Sequence, residues 1–372
     1  LKLNAKMVDF GGFNMPIQYQ GISIEHNAVR KDVGVFDVSH MGEFFISGQD
    51  SSSFLNYVCT NNINKIKINN AQYNCFTNHD GGIIDDLIVY RYDESEYMLV
   101  VNASNIKKDW DWLISNVKNY NCKLLNESDN IGLISVQGPK SLDLINVVFR
   151  KDFSSIKKFR FDTIIYNKSK ITISNTGYTG SKGYELYINN EIISIIWDKL
   201  INIGAKYNVS PIGLGARDTL RMEMGYCLYG NDINDSTTPY EANLMWVTNL
   251  EKEFIGKEKI LSSIKNSSKK MINFKMIDRG IPRKGYNITD EFGNKIGNVT
   301  SGTFSPSNKI GIGIGYINKN YTIGDNIFIS IRDKKVKAEL VEAKSEEPEV
   351  IEVKEELVEA KSEEPEVIEV KE

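Results

Sequence analysis

The stretch from Gly81 to Tyr90 sets two adjacent carboxylates, Asp85 and Asp86, inside an otherwise apolar run. In a β-strand the side chains alternate, so Asp86, Ile88 and Tyr90 share one face and Asp85, Leu87 and Val89 the other. A strand that buries Leu87 and Val89 turns Asp86 and Tyr90 together toward a different environment. Carboxylates in such a strand cost desolvation energy unless they are partnered. We read Asp85 as a cap for the turn at Gly81-Gly82. For Asp86 two readings stand: a second cap, or an acid facing a ligand.

Two further stretches carry chemistry. Residues 176–186, TGYTGSKGYEL, hold Gly177, Gly180 and Gly183, a flexible loop in which backbone can approach a ligand closely. No Gly-Lys-Ser/Thr follows and the dinucleotide glycine spacing is missing, so a nucleotide loop is excluded. Glu185 then resumes a strand. It is either an exposed strand residue or a carboxylate accepting two parallel N–H bonds from a planar heterocycle. In GLGARDTLRMEMGYCLYGND, residues 213–232, Arg217 and Arg221 stand four apart, on one face if the segment is helical. Asp218 and Glu223 are available to pair with them. We expect Arg221 to be a structural ion-pair residue and Arg217, after a glycine-rich entry, to reach an anionic or carbonyl group. No Ser-His-Asp or Cys-His arrangement emerges. The four cysteines and three histidines are scattered, which predicts neither a disulfide framework nor a metal site.

Short strands and modest helices must position these residues. Residues 83–92 and 96–102 flank Asp93-Glu94-Ser95 and predict a β-hairpin. Residues 105–118 have helical spacing, with Ile106, Trp110, Leu113 and Val117 on one face. A strand over Ile131–Val136 ends at Gly138-Pro139, and a helix follows through about Phe149. Another helix runs from about Ile192 to Ile203, with Gly204 as its expected C-cap. Beyond about residue 270 the pattern becomes short strands with Gly and Pro turns, which predicts a small β-barrel.

The chain has 372 residues and a net charge of −4. Residues 339–355 and 356–372 are identical copies of ELVEAKSEEPEVIEVKE, each with seven Glu and two Lys. Each copy therefore carries −5, which leaves about +6 on residues 1–338. A body this mildly basic suits a polyanionic ligand tail or an acidic carrier protein and does not argue for nucleic acid. The repeat predicts a disordered acidic tail, because it has too little apolar surface to offset chain entropy. No apolar run approaches the roughly 20 residues of a membrane helix, and no secretory signal is visible.

Taken together, these stretches resemble the aminomethyltransferase family, the T protein of the glycine cleavage system. The matching segments are VDFGGFNMPIQY at 8–19, GVFDVSHMGEF at 34–44, DGGIIDDLIVY at 80–90 and TGYTGSKGYEL. They continue with GLGARDTLR, LYGND at 228–232, TTPYEANLMW at 237–246, RGIPRKGY at 279–286 and TSGTFSPS at 300–307. They appear in the family's order across nearly all of residues 1–338. Only the acidic tail departs from it.

The resemblance implies an α+β fold: a three-domain cloverleaf of mixed and antiparallel sheets with helices, ending in the small barrel. It implies a folate-binding region over 1–265, whose second subdomain is inserted at about 50–135. A barrel over 270–338 and the tail over 339–372 complete the chain. It assigns catalysis to Asp86. It assigns the folate pocket to Tyr73, Ile88, Tyr90, Asn102, Tyr178, Glu185 and Arg217, with Met41 nearby and Arg283 beside an incoming lipoyl arm. Tyr73, Tyr90 and Tyr178 would pack on flat rings. Tetrahydrofolate would be a substrate, no metal is needed, and the partner would be the lipoyl-carrying H protein. The compartment would be the cytoplasm in a bacterium and the mitochondrial matrix in an organelle. Two relatives of the same fold remain as alternatives: a folate-domain demethylase, which needs a flavin domain this chain has no room for, and a non-catalytic folate-binding regulator.

Overall fold

The computed structural model describes residues 3–318, 320–332 and 334–343. An N-terminal hairpin, Lys6–Phe10 with Phe13–Gln18, leads into two sheets and a barrel.

The first sheet has six strands in the order Phe161–Tyr166, Ser169–Ser174, Gly183–Asn189, Ile131–Gln137, Val33–Asp37 and Val209–Pro211. Only its last pair is parallel. On its outer face, helices Ser141–Phe149 and Ile193–Gly204 bury Leu144, Ile145, Val148, Ile196 and Leu200 against the strands.

The second sheet has five antiparallel strands in the order Asn70–Thr77, Ile83–Arg91, Glu96–Val101, Gly42–Ser47 and Lys123–Asn126. Helices Ser51–Val58 and Ile106–Asn116 cover one face. Leu87 and Val89 lie in that core, while Ile88 and Tyr90 belong to another cluster on the opposite face, as strand alternation requires. This second cluster joins the inner faces of both sheets to Val29 of helix Ile22–Lys31 and Leu220 of helix Leu214–Met224.

The six strands from Lys269 to Val341 close a barrel around Phe274, Ile288, Ile327 and Ile329. Outside it, Met271, Ile312 and Ile314 pack with Cys75, Ile83, Met222 and Cys227. The barrel thereby packs against the sheet at Cys75, the cross-strand partner of Asp86.

Three expectations need correction. Gly204 does not cap its helix: its backbone stays right-handed, a 3-10 turn follows over Ala205–Tyr207, and Asn208 takes the left-handed conformation with φ 59°. Glycine is needed there for close approach, since a Cβ would lie 2.6 Å from Val209. The barrel does not stop at residue 338. Its last strand runs Lys334–Val341, with Leu340 buried and Glu339 paired to Lys275 at 3.1 Å, so the first acidic copy begins inside the fold. The second sheet likewise starts earlier than residue 50, because Gly42–Ser47 is an interior strand of it. Of the expected disordered tail, 339–372, residues 339–341 are thus strand, and residues 344–372 lie outside the described ones.

Candidate functional site

Sheet register explains why the acid meets its partners. Cys75 pairs with Asp86, Tyr73 with Ile88, and Ile88 with Val100. Continuing that last register by two residues sets Asn102, just past the strand end, opposite Asp86. Gly42 pairs with Val101, so Met41 in the preceding turn comes alongside Asn102. The hydroxyl of Tyr73 donates to Asp86 Oδ2 at 2.8 Å, and Asn102 Nδ2 donates to Asp86 Oδ1 at 2.9 Å. Asp86 itself is half-buried. Burial and the neighbouring charge of Asp85 push its carboxyl up to about 7, against the pull of the Tyr73 and Asn102 hydrogen bonds. Asp86 is therefore no turn cap.

Asp85 is not one either. It is fully buried and accepts from Asn102 N at 3.0 Å, Asn102 Nδ2 at 2.9 Å and Asn105 Nδ2 at 2.6 Å. Its role is to hold the segment that presents Asn102.

The first sheet supplies a facing group of residues. Glu185 is buried, not exposed, and accepts from Thr176 Oγ1 at 2.6 Å. Burial raises its carboxyl, while Thr176 and the charge of Arg217 pull it back. Thr176 also meets the Tyr90 hydroxyl at 3.1 Å, and Tyr90 meets Tyr187 at 2.8 Å. Tyr90 is completely buried, its ring edge-on to Phe161 and Tyr187. It offers no free face to a flat ligand and instead supports Glu185 through Thr176.

Arg217 lies over the ring of Tyr178, 4.8 Å from its centroid, and its buried Nη1 has no hydrogen-bond partner among the described residues. A guanidinium donor left unmatched beside a carboxylate and a tyrosine is costly unless a ligand completes it. The Tyr178 hydroxyl donates to the Cys227 carbonyl, and its ring stacks on Tyr226 at 5.6 Å. Tyr73 stacks on Trp246 at 5.6 Å with 21° between planes. Arg221 and Asp218 do pair, at 2.9 Å. Glu223 pairs with neither arginine of its helix. It takes Arg30 at 3.0 Å and lies 3.2 Å from His26, because it projects toward the neighbouring helix.

The glycines of the 176–186 loop serve packing. A Cβ on Gly177 or Gly183 would sit 2.2 or 2.4 Å from the side chain of Gln137, which is held by bonds to Thr176 and Thr179. Tyr73, Asp86 and Asn102 are thus directly bonded. Met41, Ile88 and Tyr90 share one cluster, and Tyr178, Glu185 and Arg217 form a second wall. Arg283 stands apart, exposed on the barrel and donating to the Gly302 carbonyl at 3.2 Å. Two surface clefts, of about 360 and 380 Å³, lie elsewhere, between residues 231–237 and the barrel and beside Lys108 and Trp112. The site is marked by unmatched polar atoms, Arg217 Nη1 and His40 Nδ1 among them.

Sequence reasoning missed three residues here. Trp246 projects 56% exposed over Tyr73, and its signal is the aromatic that ends TTPYEANLMW at 237–246. His40 is buried, with Nδ1 unpartnered among the described residues. Burial, reinforced by the charge of Arg217, lowers its imidazole to about 3, so it is neutral at neutral pH. Asn105 has a legible signal, its three-residue spacing from Asn102.

The family described as the GCVT N-terminal domain matches residues 1–252, and the glycine cleavage T-protein C-terminal barrel domain matches residues 269–344. The chain is 47% identical to an aminomethyltransferase of Phocaeicola vulgatus, over 92% of this chain and 96% of that one. It is 48% identical to an aminomethyltransferase of Bacteroides fragilis, again over 92% and 96%. Its structure is similar to the crystal structure of glycine cleavage system aminomethyltransferase T from Bartonella henselae, with a TM-score of 0.87 and 31% identity. That match covers 92% of this chain and 94% of the other.

Proposed function

The chain belongs to the glycine cleavage T-protein family of aminomethyltransferases, and from that premise we propose that it transfers the one-carbon unit of an S-aminomethyl-dihydrolipoyl carrier to tetrahydrofolate. The products are 5,10-methylenetetrahydrofolate, ammonia and the dihydrolipoyl carrier. The observation that carries the reading is the Asp86 carboxylate, held from two sides by Tyr73 and Asn102, with the unmatched Arg217 guanidinium and Glu185 on the neighbouring wall.

The chemistry follows from those groups. The amine lone pair of the aminomethyl group pushes out the sulfur, which leaves as thiolate and gives the carbon iminium character. The two folate nitrogens then replace the amine, their two protons pass to the departing ammonia and thiolate, and the carbon ends bridged between them. Asp86 stabilises the cationic carbon and accepts a folate N–H through a charge-assisted bond. Glu185 has used one acceptor position on Thr176, and its remaining lone pairs read the pterin N–H edge. Arg217 Nη1 completes its bonding on a folate oxygen. Ile88 and Met41 supply apolar contact, and Trp246 with Tyr73 forms the aromatic rim. Holding two large substrates together supplies much of the rate, since proximity is worth roughly 7–11 kcal/mol. Arg283, exposed on the barrel, meets the arriving lipoyl arm of the H protein. The folate-binding region is residues 1–265, with the five-stranded sheet as its second subdomain. The bacterial relatives favour the cytoplasmic alternative of the two compartments.

Ammonia release from an aminomethylated lipoyl carrier, measured with and without tetrahydrofolate, tests the reading. Folate-dependent release is expected, and folate binding without release would establish the regulator alternative.

Two predictions arise here. Glu185→Ala is expected to weaken tetrahydrofolate binding by on the order of tenfold to a hundredfold, the worth of a hydrogen bond to a charged group. Calorimetric titration reads this directly, and an unchanged affinity removes Glu185 from the pocket. The second concerns pH. Asp86 acts ionised, and its carboxyl is raised to about 7, so kcat/KM is expected to climb through about pH 7 and level above it. A profile flat from pH 5 to 8 contradicts the assignment.

A further inference from the structure

Behind Asp86 lies a third acid that the reaction does not touch. Asp109, on helix Ile106–Asn116, is completely buried, and neither of its oxygens meets an N–H or hydroxyl donor among the described residues. Asn105, one helical turn before it, donates to Asp85 Oδ1 at 2.6 Å, which brings the buried Asp109 carboxyl to the side of Asp85. Two carboxylates cannot share a hydrogen bond unless one of them carries a proton. Asp85 already accepts three N–H bonds from Asn102 and Asn105, which suits it to the ionised role and leaves the proton to Asp109. The charged or titratable groups facing Asp109 are Asp85 and Asp86 from the strand, Tyr229 from the loop after helix Leu214–Met224, and Lys108 beside it. Lys108 turns its ammonium to the Ile84 carbonyl and the Tyr229 hydroxyl, both at 2.6 Å, and to Asp235 at 3.4 Å.

We propose that Asp109 is a positioning residue: as a neutral acid it donates a hydrogen bond to Asp85, which orients Asn102, and Asn102 in turn fixes Asp86. Burial and the charge of Asp85 push the Asp109 carboxyl up to about 11, consistent with a proton held throughout the working range. A hydrogen bond from Asp109 pulls the Asp85 carboxyl down against the burial that raises it, and the charge of Asp85 helps raise Asp86. The proposal rests on the reading of Asp86 given above.

The test uses the full chain with aminomethylated lipoyl carrier and tetrahydrofolate. Asp109→Asn replaces the acid O–H by an amide N–H donor and is expected to keep kcat within about threefold, because the bond to Asp85 survives. Asp109→Ala removes the donor. It is expected to lower kcat on the order of tenfold to a hundredfold, the cost of a misplaced group, with little change in KM. It should also move the rising limb of the pH profile to lower pH, as Asp85 takes up a proton and stops raising Asp86. A role in packing alone would not move the limb, and an unmoved limb in Asp109→Ala overturns the proposal.

Infrared difference spectra give an arm independent of turnover and of whether the alanine variant folds. A protonated-carboxyl band present at neutral pH in the native chain should vanish in Asp109→Asn. If that band is unchanged, the proton is not on Asp109 and the proposal is wrong. Full activity in Asp86→Asn would appear in the rates alone, so failure of the Asp86 reading is told apart from failure of this one.

Discussion

Asp86→Asn is expected to cut turnover with lipoyl carrier and tetrahydrofolate by about 10²–10³-fold while the protein stays folded, the scale seen when a preorganised electrostatic contact is removed. The two side chains have nearly the same shape. Tyr73 can still donate to the amide oxygen, and the backbone of the strand pairs as before. What disappears is the negative charge that the proposed reaction sets against its cationic carbon. Stability gives an independent check with a definite sign. The folded-state carboxyl is raised from 3.8 to about 7, so ionising it in the native protein is unfavourable. That penalty is absent below about pH 4, grows as pH rises through the interval to 7, and is fully present above it. Asp86→Asn removes it. The variant is therefore expected to melt at or above the native temperature at pH 8, and closer to it at pH 4. Near-normal turnover in a variant with this melting behaviour would show that Asp86 is a buried structural acid and nothing more.

The position of Asp86 was legible because strand alternation is a local rule. Leu87 and Val89 in the outer core and Ile88 and Tyr90 on the inner face follow from a two-residue period alone. The partners were less legible, because they depend on register between strands. That Asn102 meets Asp86 is a consequence of Ile88 pairing with Val100, twelve residues further on, in a hairpin whose turn length sets the offset. Tyr90 shows the limit of face assignment. Its face was read correctly, but both sheets press on that face, so its hydroxyl and ring are spent on Thr176, Tyr187 and Phe161. Long-range burial of this kind has no local signature. The same holds for Gly177 and Gly183, whose small size answers to Gln137 on a neighbouring strand and not to a ligand. Glu223 likewise found its partners, Arg30 and His26, on a helix almost two hundred residues away. The barrel was visible as a change of pattern, yet its end was misplaced. A repeated sequence hid the fact that its first three residues alternate in step with the strand before them.

The largest stability effect is expected at Asp232, and it concerns how the barrel is fastened to the catalytic body. Asp232 is buried and its carboxylate is fully engaged. Oδ2 accepts from Arg221 Nη1 at 2.7 Å, from the Leu228 backbone at 3.0 Å and from Ser301 Oγ at 3.0 Å. Oδ1 accepts from Thr300 Oγ1 at 2.5 Å, and the backbone carbonyl accepts from Tyr316 at 2.8 Å. Arg221, equally buried, reaches the Tyr226 carbonyl at 2.8 Å and Ser301 at 2.9 Å with its remaining donors. One ion pair thus ties the helix that carries Arg217 to two strands of the barrel. Asp232→Ala leaves the buried Arg221 guanidinium with only the exposed carboxylate of Asp218 as counter-charge, and removing the buried partner of such a pair costs about 3–5 kcal/mol. Chemical denaturation should register that loss, with hydrogen exchange rising first along the barrel strands at residues 295–305 and 310–318. Replacing both partners, Arg221→Met with Asp232→Leu, should be milder than the single change, because no orphan charge remains. If the double variant is as unstable as Asp232→Ala alone, the damage lies in the hydroxyl and backbone bonds to Thr300, Ser301 and Leu228, and the ion pair is not what holds the barrel in place.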